Sequence, residues 1–183
     1  MNPSEFIMRL TAAAIASAKA TGVPASITIA QAALESAWGE SGLARNGNNL
    51  FGIKADSLWR GQTLTLNTKE FIKGHWVVVP ALWRKYPSWQ ASIDDHAAFL
   101  KRTPRYKACF TCTSAQAFAK ALAQAGYATD PAYADKIIGL IKQHNLLTLD
   151  GEAPCERPRE SRRLQPLREW SHEQVTQVFP RGP

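Results

Sequence analysis

Residues 31–39 read Gln31-Ala32-Ala33-Leu34-Glu35-Ser36-Ala37-Trp38-Gly39, a single acid near the end of an otherwise mostly apolar stretch. Ile27, Ala30, Leu34 and Trp38 recur at helical spacing, which predicts a helix from about Pro24 to Trp38 with that face buried. Gly39 and Gly42 follow and stop it. Burial raises a carboxyl pKa, and the negative end of a helix dipole acts in the same direction. A carboxylic acid still protonated near neutral pH is what a general acid for bond cleavage requires. A satisfied structural glutamate at a helix end is the competing reading, and this segment alone leaves both open.

Outward from this helix, Pro3 starts another and Gly22 stops it, with Phe6, Leu10, Ala13, Ala14 and Ser17 on its inner stripe. Gly39 to Lys54 is rich in Gly and Asn and reads as a loop. Residues 62–86 change character. Thr63-Leu64-Thr65-Leu66 alternates, Lys73-Gly74 marks a turn, and His75 to Val79 is β-branched and aromatic, which predicts a small antiparallel hairpin or three-strand ribbon. Helix returns after Pro87, with Ser88 as cap and Trp89, Ile93, Ala97 and Leu100 facing in. Further helices are expected over Ser114 to Ala125 and from Asp130, with Pro131 at the first position. The layout is α+β, mostly helical.

After Asp150 the composition shifts to Pro154, Pro158, Pro166, Pro180 and Pro183 set among Arg and Glu. We expect a catalytic domain over 1–150 and a Pro/Arg-rich extension over 151–183, with one short amphipathic helix at 167–179. Residues 1–150 hold 16 Lys/Arg against 10 Asp/Glu and residues 151–183 hold 6 against 5, so +6 of the net charge of +7 belongs to the folded part. It suits a polyanionic partner. No basic stripe on one helix and no reader motif supports a nucleic-acid partner.

No run approaches the roughly 18 apolar residues of a membrane span. Ala16-Ser17-Ala18 resembles a signal-peptide cleavage site, but Glu5 and Arg9 interrupt any apolar region before it, so an amphipathic helix is expected instead. Cys109, Cys112 and Cys155 make no disulfide framework and are expected to be small packing residues. His75, His96, His144 and His172 are scattered without a His-Glu-x-x-His pattern, so neither a metal site nor a cofactor is expected. Asp94-Asp95, the other candidate pair of acids, reads as structural.

Three motifs in order give the chain a family resemblance: Thr28 to Gly39, then Asn48-Asn49-Leu50-Phe51-Gly52-Ile53-Lys54, then Gly126-Tyr127-Ala128-Thr129-Asp130-Pro131 with Tyr133-Ala134. They resemble glycoside hydrolase family 73, the peptidoglycan N-acetylglucosaminidases, which include the C-terminal domain of the flagellar-rod peptidoglycan hydrolase. The likeness covers about residues 3–145. It implies a lysozyme-like, two-lobed fold around a glycan cleft. It also implies hydrolysis of the β-1,4 bond on the reducing side of N-acetylglucosamine. Glu35 matches the family's general acid, and Glu70, in Thr68-Lys69-Glu70-Phe71, matches its second acid, although Phe71 stands where a Tyr is frequent. Such chemistry needs an acid for the leaving oxygen and, on the other face, a carboxylate or the substrate's own acetamido group.

Asn49, Phe51, Tyr127 and Tyr133 are the expected substrate-binding residues, and Phe51, Trp59, Tyr127 and Tyr133 the expected flat faces for sugar rings. The partner implied is the peptidoglycan glycan strand, met by a monomer at the bacterial wall, in the periplasm or outside the cell. A compact hydrolase beginning almost at Met1 resembles a phage endolysin. Two other readings compete: a lytic transglycosylase using Glu35 as both acid and base, and a non-catalytic glycan-binding domain.

Overall fold

The structure, a computed structural model, describes residues 1–72 and 74–151, with the backbone alone for 69–72. The expectations for the 167–179 helix, Cys155, His172, Lys73 and the side chains of Glu70 and Phe71 lie outside the described residues.

Helix α1 (Pro3–Thr21) starts on Asn2, whose side chain accepts from the Glu5 amide, and closes on Gly22 in the left-handed conformation. Phe6, Leu10, Ala14 and Ser17 are its buried face. Helix α2 (Ala25–Ser36) is buried nearly all round, as a helix with little polar surface must be. The expected inner stripe is corrected at its end. Leu34 and Trp38 are only half-buried, whereas Gln31, Glu35 and Ser36 are buried. Pro24 offers α2 no side-chain cap. Asp150, at the far end of the described chain, supplies one by accepting from the Ser26 amide at 2.9 Å and the Ser26 hydroxyl at 2.5 Å. Residues 146–150 therefore pack with the body.

The expected loop after α2 holds a short helix, α3 (Gly42–Gly47), capped by Ser41. A two-stranded antiparallel ribbon follows, β1 (Thr63–Ile72) with β2 (His75–Arg84), in the register Thr63↔Arg84 through Ile72↔His75. The register makes it a hairpin with a two-residue turn, and Gly74, at φ +82°, supplies the positive φ such a turn needs. The third strand allowed for in the sequence is absent among the described residues; Lys54 makes only an isolated bridge to Trp83.

Helix α4 (Trp89–Arg102) is capped by Ser88 as expected, and Ile93, Ala97 and Leu100 are buried. A 3₁₀ helix over Pro104–Thr111 leads to α5 (Ala115–Gln124), capped by Ser114. Helix α6 (Tyr133–Gln143) begins two residues later than expected. Asp130 accepts from the Ala132 amide and forms a turn rather than a helix cap, because the Tyr133 amide returns to the Asp130 carbonyl. The core lies among α1, α2, α4, α5 and α6, so the mostly helical α+β architecture holds, with the ribbon as its second element.

Candidate active site

Glu35 is placed by the way α2 stops. The helix ends at Ser36, and Ala37, Trp38 and Gly39 all take positive φ, at 49°, 59° and 81°. For a tryptophan this is a strained backbone. It is held by the Trp38 amide bonding to the Ala33 carbonyl at 3.0 Å, and by edge-on packing of the Trp38 ring against Phe6 and His144. The Ser36 hydroxyl donates to the Ala32 carbonyl and accepts from the Gly39 amide. Gly39 is needed for space as well, since a Cβ there would stand 3.1 Å from Trp89 and 3.2 Å from Phe6.

The side chain of Glu35 is only 9% exposed, and its Oε1 is buried with no hydrogen-bond partner. Burial pushes the Glu35 carboxyl well above the usual glutamate range, and the Lys136 ammonium opposes that shift. Lys136 is itself ion-paired to Asp130 at 2.5 Å, within the turn that precedes α6.

Tyr127 and Tyr133 stand beside Glu35 in the electrostatic sense. Burial raises both phenols, and the Glu35 charge adds to each. Their rings stack at 5.5 Å and 29°. Each hydroxyl is held from behind by a different helix. Gln31 Nε2 on α2 donates to the Tyr133 hydroxyl at 2.7 Å, and His96 Nε2 on α4 lies 3.1 Å from the Tyr127 hydroxyl. Gln31 is one turn before Glu35, and its Oε1 is a second buried oxygen without a partner. Tyr127, Tyr133 and Gln31 are themselves buried, at 0%, 2% and 0% exposure, so the expected flat sugar faces of the two tyrosines are turned into the core. They form a dry backing wall behind Glu35, which at 9% keeps the most exposure of the four, as a proton donor.

Asn49 and Phe51 sit elsewhere than the expectation put them. Asn49 is 1% exposed. Its Nδ2 donates to the Ile53 and Arg84 carbonyls, both at 2.9 Å, and its Oδ1 accepts from the Ile53 amide. It therefore clasps the loop to the base of the ribbon. Phe51 has no exposed face; its ring stacks on His96 at 3.9 Å and 6°. Trp59 is sandwiched too, under the Arg84 guanidinium at 4.7 Å and against the Tyr86 edge.

Position 70 pairs with Val77 in the ribbon. By alternation Leu64, Leu66 and Thr68 share one strand face of β1. That face turns toward the body, since Leu64 approaches Gly47, Leu66 approaches Gly42, and Thr68 is buried. The ribbon is anchored at its base. Arg84, 3% exposed, donates both guanidinium branches, to Asp95 on α4 at 2.7 and 3.0 Å and to Asp56 at 2.8 Å. Tyr86 adds its hydroxyl to Asp95 at 2.7 Å. Asp95 is thus the structural acid expected.

Sequence reasoning missed Gln31, His96, Lys136 and Arg84. Gln31 had a usable signal, a polar residue four before Glu35 in an apolar helix. The others are joined to the site only by tertiary packing. Among the described residues no group of His, Cys, Asp and Glu is arranged to hold a metal ion, and no helix is long and apolar enough to cross a membrane.

A family model described as Glucosaminidase, Mannosyl-glycoprotein endo-beta-N-acetylglucosaminidase, matches residues 11–146. Peptidoglycan hydrolase FlgJ of Salmonella typhimurium is 41% identical over 143 residues, 76% of this chain and 45% of that protein. Exo-glucosaminidase LytG of Bacillus subtilis is 42% identical over 134 residues, 70% of this chain and 47% of that protein. The chain thus spans a little under half the length of these relatives. Among solved structures, a C-terminally truncated glycoside hydrolase domain of the Salmonella FlgJ aligns at TM-score 0.67 and 38% identity, covering 79% of this chain and 98% of that one. The catalytic domain of the autolysin Auto from Listeria monocytogenes aligns at TM-score 0.74 and 33% identity, covering 81% and 87%.

Proposed function

We propose that this chain, which belongs to the glucosaminidase family, hydrolyses the β-1,4 bond on the reducing side of N-acetylglucosamine in peptidoglycan, with Glu35 as general acid. One observation carries the reading. Glu35 is a buried carboxyl at a helix end, raised well above its usual range, with one oxygen unpartnered and two neutral phenols beside it. Such a group keeps its proton to higher pH than an ordinary glutamate and can deliver it to the leaving glycosidic oxygen. Relatives named as peptidoglycan hydrolase and exo-glucosaminidase support the substrate class.

Glu70 is the proposed second carboxylate, brought over the glycan by the ribbon, with the substrate's acetamido group as the alternative on that face. Tyr127 and Tyr133 back Glu35 from the core side and hold its surroundings dry. Asn49 and Phe51 serve binding from behind, through the ribbon base and through His96. A net charge of +7 favours approach to anionic muramyl-peptide strands. The catalytic unit takes in residues 1–150, and the protein acts at the bacterial wall, in lysis or remodelling.

The test is mass spectrometry of purified peptidoglycan digested by the wild-type chain and by Glu35→Gln. New reducing N-acetylglucosamine ends from wild type alone support the reading. Anhydro-muramyl ends identify a transglycosylase, and reducing muramic acid ends move the cleaved bond. No release by the wild type leaves a glycan-binding domain.

A further inference from the structure

His96 is fully buried on α4 and belongs to none of the three motifs. Burial lowers its pKa to about 3, so the ring is uncharged at any working pH. Its Nδ1 is buried with no hydrogen-bond partner, a condition an apolar ring of the same shape would avoid. What the imidazole offers that a phenyl ring does not is Nε2, 3.1 Å from the Tyr127 hydroxyl. Parallel stacking on Phe51 fixes the plane of the imidazole, and hence the direction of Nε2. Tyr127 is fixed on its other sides by Tyr133 and Tyr106, with ring centroids 5.5 and 5.9 Å away. The backbone sets its place just after left-handed Gly126, where the Tyr127 amide bonds to the Leu122 carbonyl.

We propose that His96 is a positioning residue for glycan cleavage: an imidazole, aligned by Phe51, that orients the Tyr127 hydroxyl in the buried backing of Glu35. Phe51 thereby influences the site without touching substrate. The inference rests on the hydrolase reading given above.

The test uses the full 183-residue chain and soluble peptidoglycan glycan chains. His96→Phe should lower kcat about tenfold and leave KM within about twofold. Tyr127→Phe should lower kcat at least as much, and the double variant should be no worse than Tyr127→Phe alone, since both lose one oriented hydroxyl. His96→Gln, whose amide reaches the place of Nε2, should recover most of kcat. A purely structural His96 gives a lower melting temperature with wild-type kcat per folded molecule, or losses that multiply in the double variant; either overturns the proposal. If His96→Phe does not fold, imidazole ¹⁵N shifts of the wild type and Tyr127→Phe decide. The Nε2 signal should move when the phenol is lost, and an unmoved signal overturns the proposal. A wild-type chain that releases no glycan ends would sink the hydrolase reading separately, and the ¹⁵N comparison would still stand on its own.

Discussion

The helical wall and the β-ribbon carry the two proposed acids in opposite ways. Glu35 stands where α2 ends inside the core, among residues that leave it almost no water. Position 70 stands near the tip of a two-stranded ribbon whose outer face leaves Trp76, Val78 and Leu82 more than half exposed. The wall is built to shift a pKa and to hold geometry. The ribbon is joined to the body mainly at its base, by Arg84, Asp56, Asp95, Asn49 and Tyr86. A proton donor benefits from burial, because burial favours its neutral form. A group that must meet an incoming polymer benefits from sitting on an element that can approach it. Under the proposed mechanism, the two acids thus stand in different settings, one buried at a helix end and one on a ribbon seated mainly at its base.

The largest break in this comparison is Glu35→Gln. It keeps shape and removes the proton donor, so wall-clearing activity should fall by roughly 10²–10⁴ while circular dichroism stays that of the wild type. A folded variant that clears walls at the normal rate would remove Glu35 from the mechanism. Next comes Arg84→Met, which takes the guanidinium from Asp95 and Asp56 and leaves Asp95 the Tyr86 hydroxyl and the more distant Arg102. Loss of one partner from a buried ion pair should lower stability by about 3 kcal/mol in denaturant titrations. It should also raise KM for glycan chains more than it lowers kcat, since the ribbon loses its seat and the wall does not. Glu70→Gln sharpens the contrast from the other side, with a kcat loss of about tenfold, smaller than that of Glu35→Gln. Normal cleavage by that variant would hand the second role to the acetamido group.

Stability gives a further contrast. The carboxyl of Glu35 is raised in the folded state, so as pH climbs through the ordinary glutamate range the unfolded chain loses its proton first. Folding is then progressively disfavoured until the pH reaches the folded pKa, at about 1.4 kcal/mol per pH unit across that window. Glu35→Gln removes this cost. Its melting temperature should match the wild type near pH 4 and exceed it at pH 7. Equal melting temperatures at both pH values would mean that the wall does not hold Glu35 neutral.

Much of this contrast was legible in the sequence. The caps Asn2, Ser88 and Ser114, the ribbon, and the lone acid in an apolar helix follow from local patterns, which act over a few residues. The end of α2 was not legible, because Trp38 adopts a left-handed backbone held in part by ring packing against Phe6 and His144, distant in sequence. Asn49 and Phe51 were legible as important positions but not as buried ones. Their side chains are turned inward by Arg84 and His96, from 35 and 45 positions along the chain. The cap on α2 by Asp150 is of the same kind, a contact between residues 124 positions apart.

The central claim is that the helical wall keeps Glu35 protonated until it acts. The most direct measurement is a ¹³C NMR titration of the Glu35 carboxyl in the full chain, set beside the pH dependence of kcat/KM. The account predicts a Glu35 midpoint well above the ordinary glutamate range, coinciding with the alkaline fall in kcat/KM. A midpoint near the value of an exposed glutamate, about 4.3, would contradict it.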